Sequence, residues 1–215
     1  MREHSPSIGN LEMPADPPHD CERCARLRHF ILTRRAQMPD WFNGPVPSFG
    51  DPNARVMIVG LAPGLRGANR TGRPFTGDYA GDLLYTTLEK FGFSSGVYDQ
   101  RADDGLVLHD IVITNAVRCV PPQNKPTPTE IVNCRPYLDN TLKSHPNIQA
   151  FIVLGRIAHD TLLRNFDIAL KNHPFAHGAI HHLANGALLF DSYHCSRYNT
   201  NTGRLSEAMF DDVFR

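Results

Sequence analysis

The chain lacks long apolar runs, and its N-terminal segment MREHSPSIGNLEMPADPPHDC lacks the apolar core of an export signal. A helix that crosses a membrane needs about 20 predominantly apolar residues in succession. We therefore expect a cytoplasmic protein with no membrane partner. The 215 residues are 41% hydrophobic and 20% charged, which predicts one globular domain that folds around its own core.

The sequence also lacks a net charge, because 22 basic residues balance 22 acidic ones. Nucleic-acid-binding proteins usually carry a basic excess, so this balance counts against such a partner. The distribution is uneven, however. Arg66, Arg70 and Arg73 have no acidic residue between them, and Arg197 and Arg204 bracket a second acid-free loop. Either phosphate-binding surfaces or ordinary solvated arginines fit this pattern.

Short apolar segments alternate with segments of helical character, and no internal repeat interrupts them. The predicted strands are 55–62, 111–117, 150–154 and 187–192. The predicted helices are 21–35, 78–91, 128–144, 156–165 and one from about 206. Such alternation predicts a parallel sheet covered by helices on both faces. We expect residues 1–20 to form a flexible tail, 21–215 to form the domain, and 39–54 and 170–186 to be loops.

Cysteine is scarce, but four of the five cysteines form a pattern. Cys21 and Cys24 are a C-x-x-C pair, Cys119 follows the second strand, and Cys134 lies in the next helix. Spaced cysteines in an intracellular protein indicate metal binding or chemistry more often than disulfides. Four thiolates suit a structural zinc ion or an iron–sulfur cluster, and the spacing does not choose between them. Unligated cysteines packed in the core are the alternative.

A glycine-rich loop, Gly60 to Gly64, follows the first strand directly. Such a loop can cradle a phosphate, and ligands of parallel sheets bind at the carboxyl ends of strands. No Gly-Lys-Ser/Thr follows it, so it is not a P-loop, and its spacing does not match a dinucleotide fingerprint. The sequence therefore disfavours a nucleotide-phosphate hydrolase, which would also need a cluster of metal-binding carboxylates.

Four further side chains in these loops each admit two interpretations. Phe75 is either a stacking platform for a base or a core residue. Asp78 is either the N-cap of the helix that follows or a carboxylate that orients water. The amide of Asn115 either matches the edge of a nucleobase or caps a turn. His194 either donates a hydrogen bond to a developing oxyanion or is structural.

Taken together, these segments resemble the uracil-DNA glycosylase superfamily. The run GLAPGLRGANRTGRPFTGDYAG, residues 60–81, resembles its first motif in the extended form of family 5, the type-b enzymes. TNAVRC at 114–119 is similar to the central segment, and HCSRYNTNTGRL at 194–205 to the second motif. The four patterned cysteines match ligands shared by families 4 and 5. The similarity extends from Cys21 to the final helix.

The resemblance implies a three-layer α/β/α sandwich with a four-stranded parallel sheet. It implies a [4Fe–4S] cluster of structural role on Cys21, Cys24, Cys119 and Cys134. It also implies a monomeric base-excision repair enzyme of the bacterial or archaeal nucleoid. Its partner would be DNA containing uracil or other deaminated bases, such as hypoxanthine or xanthine. No lysine nucleophile is evident in the motifs, so base removal without strand cleavage is expected.

The resemblance also assigns roles to residues. Asp78 and His194 would be catalytic. The base would be bound by Gly60, Ala62, Gly64, Phe75, Asn115 and His194. Arg66, Arg197 and Asn199 would contact DNA. Two residues depart from the family pattern: Cys195 stands where proline is usual, and Tyr198 follows Arg197 where Pro-Arg is more common. A binding module that recognises uracil without turnover is the alternative class, which intact Asp78 and His194 disfavour.

Overall fold

Residues 15–215 are described by a computed structural model of the chain. The helices are α1 (Ala25–Gln37), α2 (Ala68–Thr71), α3 (Tyr79–Lys90), α4 (Pro128–Ser144), α5 (Arg156–Asn165), α6 (Arg197–Asn201) and α7 (Glu207–Phe214). The strands are β1 (Phe49–Gly50), β2 (Val56–Gly60), β3 (Ser94–Ser95), β4 (Val107–Leu108), β5 (Ile111–Asn115), β6 (Ala150–Leu154), β7 (Ile180–His182) and β8 (Leu188–Ser192). Within these residues, no helix has the length and apolar character that a membrane crossing requires.

The four predicted apolar segments form the parallel centre of one sheet. Its strand order is β1-β5-β2-β6-β8-β7, in which β5, β2, β6 and β8 are parallel. The outer strands β1 and β7 are antiparallel to their neighbours. The expected α/β sandwich is confirmed, but the expected number of four strands is wrong, because two short edge strands extend the sheet to six.

Both edge strands lie in segments predicted to be loops. β1 has two residues inside the Pro/Gly-rich stretch 39–54, and β7 has three inside the histidine-rich stretch 170–186. Each pairs with a neighbour on one side only. Such strands are defined by hydrogen bonds to that neighbour rather than by an apolar pattern of their own. Sequence periodicity therefore does not detect them.

The sheet buries one apolar layer on each face, because successive side chains of a strand point to opposite sides. Ile58 of β2 faces the layer formed with α3 and α7, which includes Leu84 and Phe210. Its neighbours Met57 and Val59 face the layer formed with α5. Helices on both faces complete the three layers. The carboxyl ends of the parallel strands remain at one edge, where the loops gather.

Side-chain caps fix several helix starts as the sequence indicated. The predicted helix 128–144 is confirmed as α4, and a capping box begins it: Glu130 N donates to Thr127 Oγ1 at 3.3 Å and Thr127 N donates to Glu130 Oε2 at 2.8 Å. The predicted start of α1 at Cys21 is wrong. Cys24 is extended and precedes the helix, so both cysteines of the pair lie in the approach to α1.

The expected tail, residues 1–20, lies mostly outside the described residues. Its described part, 15–20, contacts the domain at several points. Asp16 Oδ1 accepts from Arg118 Nη1 at 2.7 Å and from Ser48 N at 3.0 Å. Thr141 Oγ1 donates to the carbonyl of Ala15 at 3.2 Å. These bonds hold residues 15 and 16 against the loop that follows β5 and against α4.

Candidate active site

The loops after β2, β5 and β8 surround one cleft of about 590 Å³. Eight of the predicted site residues line it together with their neighbours. The lining residues are Leu61, Ala62, Pro63, Gly64, Arg66, Ala68, Phe75, Gly77, Asp78, Tyr79, Ala80, Asn115, Asn124, His194, Ser196 and Arg197. Residues as far apart in the chain as Leu61 and Arg197 thus meet at the carboxyl edge of the sheet, where parallel folds bind ligands.

Phe75 lies at the back of the cleft and is 7% exposed. Its backbone has φ +51°, a conformation that surrounding bonds must hold. The Tyr85 hydroxyl donates to Pro74 O at 2.7 Å, and the Tyr98 hydroxyl donates to Phe75 O at 3.3 Å. The ring centroid lies 5.9 Å from that of His194 at 30° between planes. Phe75 is therefore both a core residue and an aromatic wall of the cleft.

A buried ion pair supports the loop that carries Phe75. The Arg73 guanidinium donates to both carboxylate oxygens of Asp104 at 2.7 Å, and Arg73 Nε donates to Thr76 Oγ1 at 2.8 Å. The two side chains are 4% and 1% exposed. Burial opposes charge on Asp104, but the bonds from Arg73 and from two backbone N–H groups lower its pKa. Arg73 is therefore unavailable to phosphates, unlike exposed Arg66 and Arg70.

Asn115, the last residue of β5, presents an unused acceptor. The residue is 2% exposed, and its Oδ1 is buried without a hydrogen-bond partner among the described residues. A Cβ at Gly60 would overlap this oxygen and would approach Phe75 Cζ within 2.7 Å. Gly60 thus does not line the cleft, but its lack of a side chain lets Asn115 and Phe75 pack against β2. A buried acceptor without a partner calls for an explanation, and a ligand in the cleft supplies one.

Asp78 caps a helix with one oxygen and faces the glycine-rich loop with the other. It is the N-cap of α3, with Oδ1 accepting from Gly81 N at 3.2 Å. Oδ2 faces the glycine-rich loop, where a Cβ at Gly67 would overlap it and a Cβ at Gly64 would lie 2.8 Å away. Burial raises the pKa of this carboxyl. One oxygen is therefore used by the helix and the other faces the cleft.

His194 follows β8 and faces Phe75 across the cleft. Burial lowers its pKa to about 4, so the imidazole is neutral at pH 7 and can donate one N–H without carrying charge. Asn199 Nδ2 donates to the backbone carbonyl of His194 at 2.8 Å. The amide of Asn199 thus fixes the histidine loop, a role that the sequence did not indicate. Cys195 Sγ, fully buried, contacts Ala80 O at 3.4 Å.

The rim of the cleft is basic and aromatic. Arg66 and Arg197 are exposed and line it, and the Arg197 guanidinium lies 5.4 Å from the centroid of Tyr79. Tyr198, next to Arg197, is 73% exposed. Of the lining residues with polar side chains, Tyr79, Asn124 and Ser196 were missed by sequence reasoning. Ser196 had a readable signal, since it caps α6 by accepting from Asn199 N at 3.4 Å.

Comparison with known proteins identifies the family to which this chain belongs. The model of the uracil DNA glycosylase superfamily matches residues 47–215. The chain belongs to this superfamily. A Type-5 uracil-DNA glycosylase of Thermus thermophilus is 46% identical over 199 residues, 90% of each chain. One of Mycobacterium leprae is 41% identical, covering 91% of this chain and 89% of the relative, and one of Pyrobaculum aerophilum is 39% identical, covering 91% and 87%.

The four patterned cysteines of this superfamily member meet at a second place. Cys21, Cys24, Cys119 and Cys134 line one small cavity with Val117 and Tyr137. Among the described residues, no three of these sulfurs lie within 4.8 Å of one another. Four sulfurs bound to a single zinc ion at about 2.3 Å would lie about 3.8 Å apart. The described sulfurs are therefore not arranged as four ligands closed on one zinc ion.

Polar groups reach the cysteine cavity from the surrounding elements. Arg118 N donates to Cys134 Sγ at 3.3 Å, and Asn133 Nδ2 donates to Cys24 Sγ at 3.8 Å. The Tyr137 hydroxyl lies 3.7 Å from Cys21 Sγ. Burial raises the pKa of the Cys134 thiol to about 11. N–H donors directed at sulfur are the contacts that tune a thiolate-bound metal group, so the residues present fit such a group.

Proposed function

We propose that this protein hydrolyses the N-glycosidic bond of uracil in DNA and leaves an abasic site, as the first step of base-excision repair. The observation that carries the proposal is the cleft of a uracil-DNA glycosylase superfamily member in which Asn115 Oδ1 has no protein partner. An aromatic wall and a neutral histidine lie beside it. A nucleobase in the cleft uses all three groups. Its edge bonds to the Asn115 amide, its ring face stacks on Phe75, and one of its oxygens accepts from His194.

The reaction requires a base that has left the helix. The enzyme flips the nucleotide out of the stack at a cost of a few kcal/mol, which is lowest for a mispaired base. Arg66 and Arg197 on the rim hold the flanking phosphates, because such contacts position the DNA. Asn199 holds the loop of His194 from within, so its contribution to DNA binding is indirect.

Inside the cleft, Phe75 stacks on the flipped base and the Asn115 amide bonds to its edge. Breaking the C1′–N1 bond leaves negative charge on the base oxygen and positive charge on the sugar. His194, neutral before the reaction, donates to that oxygen as the charge develops. Asp78 Oδ2 orients the attacking water and favours the sugar cation. These roles need an ionised Asp78 carboxylate and a neutral His194 imidazole that keeps one N–H proton.

The test is a single-turnover assay on oligonucleotides that each contain one uracil, hypoxanthine or xanthine. We expect release of uracil, an alkali-labile abasic site, and no strand cleavage before alkali. We extend the proposal to the two deaminated purines, since a cleft of about 590 Å³ accommodates their larger rings. Tight binding to the uracil oligonucleotide without base release would overturn the proposal in favour of a binding module. Release of uracil without release of hypoxanthine or xanthine would contradict only the extension to the deaminated purines.

We further propose that Cys21, Cys24, Cys119 and Cys134 hold a [4Fe–4S] cluster. Support comes from the convergence of four cysteines on one cavity and from the N–H donors directed at Cys134 Sγ and Cys24 Sγ. The bound cluster would supply a cross-link rather than redox chemistry. It would join the approach to α1 to the loop after β5 and to α4, a contact that Arg26 and Glu130 already reinforce at 2.6 Å.

The cluster is tested by its iron. We expect about four iron atoms per chain and brown protein as purified anaerobically. Cys119→Ser should lose iron and lower the melting temperature, because binding of a structural metal group contributes folding free energy. Cys195→Ser is the matched control, since Cys195 is buried near Ala80 rather than in the cavity. Colourless protein with one zinc per chain, or equal iron loss in both variants, would contradict the assignment.

A further inference from the structure

Three ionisable side chains meet in the core outside both sites already described. His159 of α5 and His181 of β7 approach the same carboxylate, that of Asp191 in β8. His159 Nδ1 lies 2.6 Å from Oδ1, and His181 Nε2 lies 3.0 Å from Oδ2. Their facing atoms all lie within 4.8 Å of one another. The side chains of His159 and Asp191 are at most 1% exposed, and that of His181 is 10% exposed.

The second nitrogen of His159 is also engaged. Its Nε2 donates to the backbone carbonyl of His173 at 2.8 Å. This bond places a proton on Nε2 and orients the ring, so that Nδ1 is the atom presented to Asp191. Histidines that bind metals nearly always donate their other N–H to a carbonyl or a carboxylate in this way. His159 therefore has the orientation and the tautomer of a ligand that binds through Nδ1.

A third histidine lies next to the group. The ring of His173 is centred 5.5 Å from that of His181. Its Nδ1 is buried and has no hydrogen-bond partner among the described residues. Leaving a buried polar atom unpaired lowers stability, and the bonds of the His159 group do not use this nitrogen. A ligand shared with His181 would account for this nitrogen.

We propose that His159, His181 and Asp191 bind one divalent transition-metal ion, with zinc the preferred ion and the His173 ring beside them. Imidazole and carboxylate ligands suit zinc, which binds them at about 2.0–2.2 Å in a tetrahedron. Ligand atoms of such a tetrahedron lie about 3.4 Å apart. The 2.6 Å and 3.0 Å distances to Asp191 must therefore widen by about 0.8 Å and about 0.4 Å.

Binding exchanges protons for the ion. Without metal, a proton lies between His159 Nδ1 and the carboxylate of Asp191, and Nε2 donates to a carbonyl. The ion takes the place of the Nδ1 proton, which passes to solvent, while the Nε2 proton stays on the carbonyl of His173. His181 binds through Nε2 and keeps its remaining proton on Nδ1. At least one proton is thus released per ion, and binding weakens as pH falls.

The ion would act as a structural staple. It would tie α5 and the edge strand β7 to β8, the strand that leads through Tyr193 to His194. The loop before β7 already contacts the end of β8, because Tyr193 N donates to His177 Nδ1 at 3.1 Å. The cleft and its chemistry do not depend on the ion.

The test is a cobalt titration of the protein as purified, treated with a mild chelator that leaves metal on the cysteines in place. Co²⁺ reports its ligands through visible absorption, and thiolate ligation adds a near-ultraviolet charge-transfer band. We expect one equivalent bound without that band and about one proton released per ion in weak buffer. Zn²⁺ should displace the cobalt and raise the melting temperature.

Two neighbouring variants separate the site from general surface binding. His181→Ala should weaken cobalt binding at least about tenfold, since losing even an outer partner of a ligand costs that much. His182→Ala, exposed on the same strand, should bind as the wild type does. If His181→Ala fails to fold, His181→Asn keeps a polar contact to Asp191 and replaces it in the test. Absence of binding in the wild type, a thiolate band, or equal affinity in both variants would overturn the proposal.

Discussion

Two polar regions lie on either side of Phe75. The polar groups of one are paired in hydrogen bonds, and the other has an unpaired acceptor. Behind the ring, the Arg73 guanidinium bonds to Asp104 and Thr76, and two backbone N–H groups complete the carboxylate. In front of the ring, Asn115 Oδ1 is buried with no protein partner. One region uses its polar groups to hold the loop, and the other keeps an acceptor available.

The difference separates positioning from recognition. A paired buried network fixes one conformation of the chain, here the unusual φ of Phe75. An unpaired buried acceptor costs about 1–3 kcal/mol of stability until a ligand satisfies it. Substitutions behind Phe75 should therefore lower stability first, whereas substitutions in front of it should lower activity first.

The largest effect is expected at Asp78. Asp78→Asn keeps the N-cap, because asparagine caps as well as aspartate, and removes only the charge. Single-turnover uracil excision at saturating enzyme should fall by about 10²–10⁴-fold, the range of positioned acid–base groups. The melting temperature should barely move. A rate near that of the wild type would leave Asp78 as a helix cap alone.

The next largest effect tests the region behind the ring. Asp104→Ala leaves the Arg73 guanidinium buried without its carboxylate, which should cost about 3–5 kcal/mol of unfolding free energy. Urea denaturation measures this loss. Asp103→Ala is the matched control, because Asp103 is its exposed neighbour and pairs with Arg101 at the surface, where an ion pair is worth about 0–1 kcal/mol. Similar losses in both variants would refute the distinction.

Phe75 itself lies between the two regions and should show an intermediate effect. If its ring stacks on the base, Phe75→Ala should lower transition-state stabilisation by about 1–3 kcal/mol in kcat/KM. Phe75→Leu refills most of the core volume without a ring face. We expect the leucine variant to recover the stability of the wild type while its excision of uracil stays impaired. Full recovery of excision would mean that Phe75 only packs.

The smallest effect concerns the protonation of His194. Its pKa falls from 6.5 to about 4 on folding, so the unfolded chain binds more protons between these values. The stability that comes from the neutral ring is complete above pH 6.5 and is lost as pH falls towards 4. Relative to His194→Gln, the wild type should lose about 1 kcal/mol between pH 6.5 and 5.5. Parallel stability curves for the two proteins would contradict a depressed pKa.

The sequence predicts the elements that carry their own signals. The capping box of α4 and the apolar runs of β2, β5, β6 and β8 are local patterns, and they predict these elements to within a few residues. The edge strands β1 and β7 depend on hydrogen bonds to a neighbour, so the chain contains no local trace of them.

Predictions for the site divide in the same way. The strand ends that carry Asn115 and His194 could be placed at one edge, because parallel strands end together. The pairing of Arg73 with Asp104, 31 residues away, and the bond from Asn199 to the His194 carbonyl could not. Both arise where loops pack against each other, and no periodicity encodes that packing.

The central claim is that the buried acceptor of Asn115 is reserved for the base. Its most direct test is single-turnover uracil excision by Asn115→Ala at saturating enzyme, with Thr114→Ala as control. Thr114, the preceding residue of β5, has its hydroxyl 3.1 Å from Ser48 Oγ. We expect Asn115→Ala to lose at least about tenfold in rate, the worth of one hydrogen bond, and Thr114→Ala to keep the wild-type rate. Equal rates in the two variants would contradict the account.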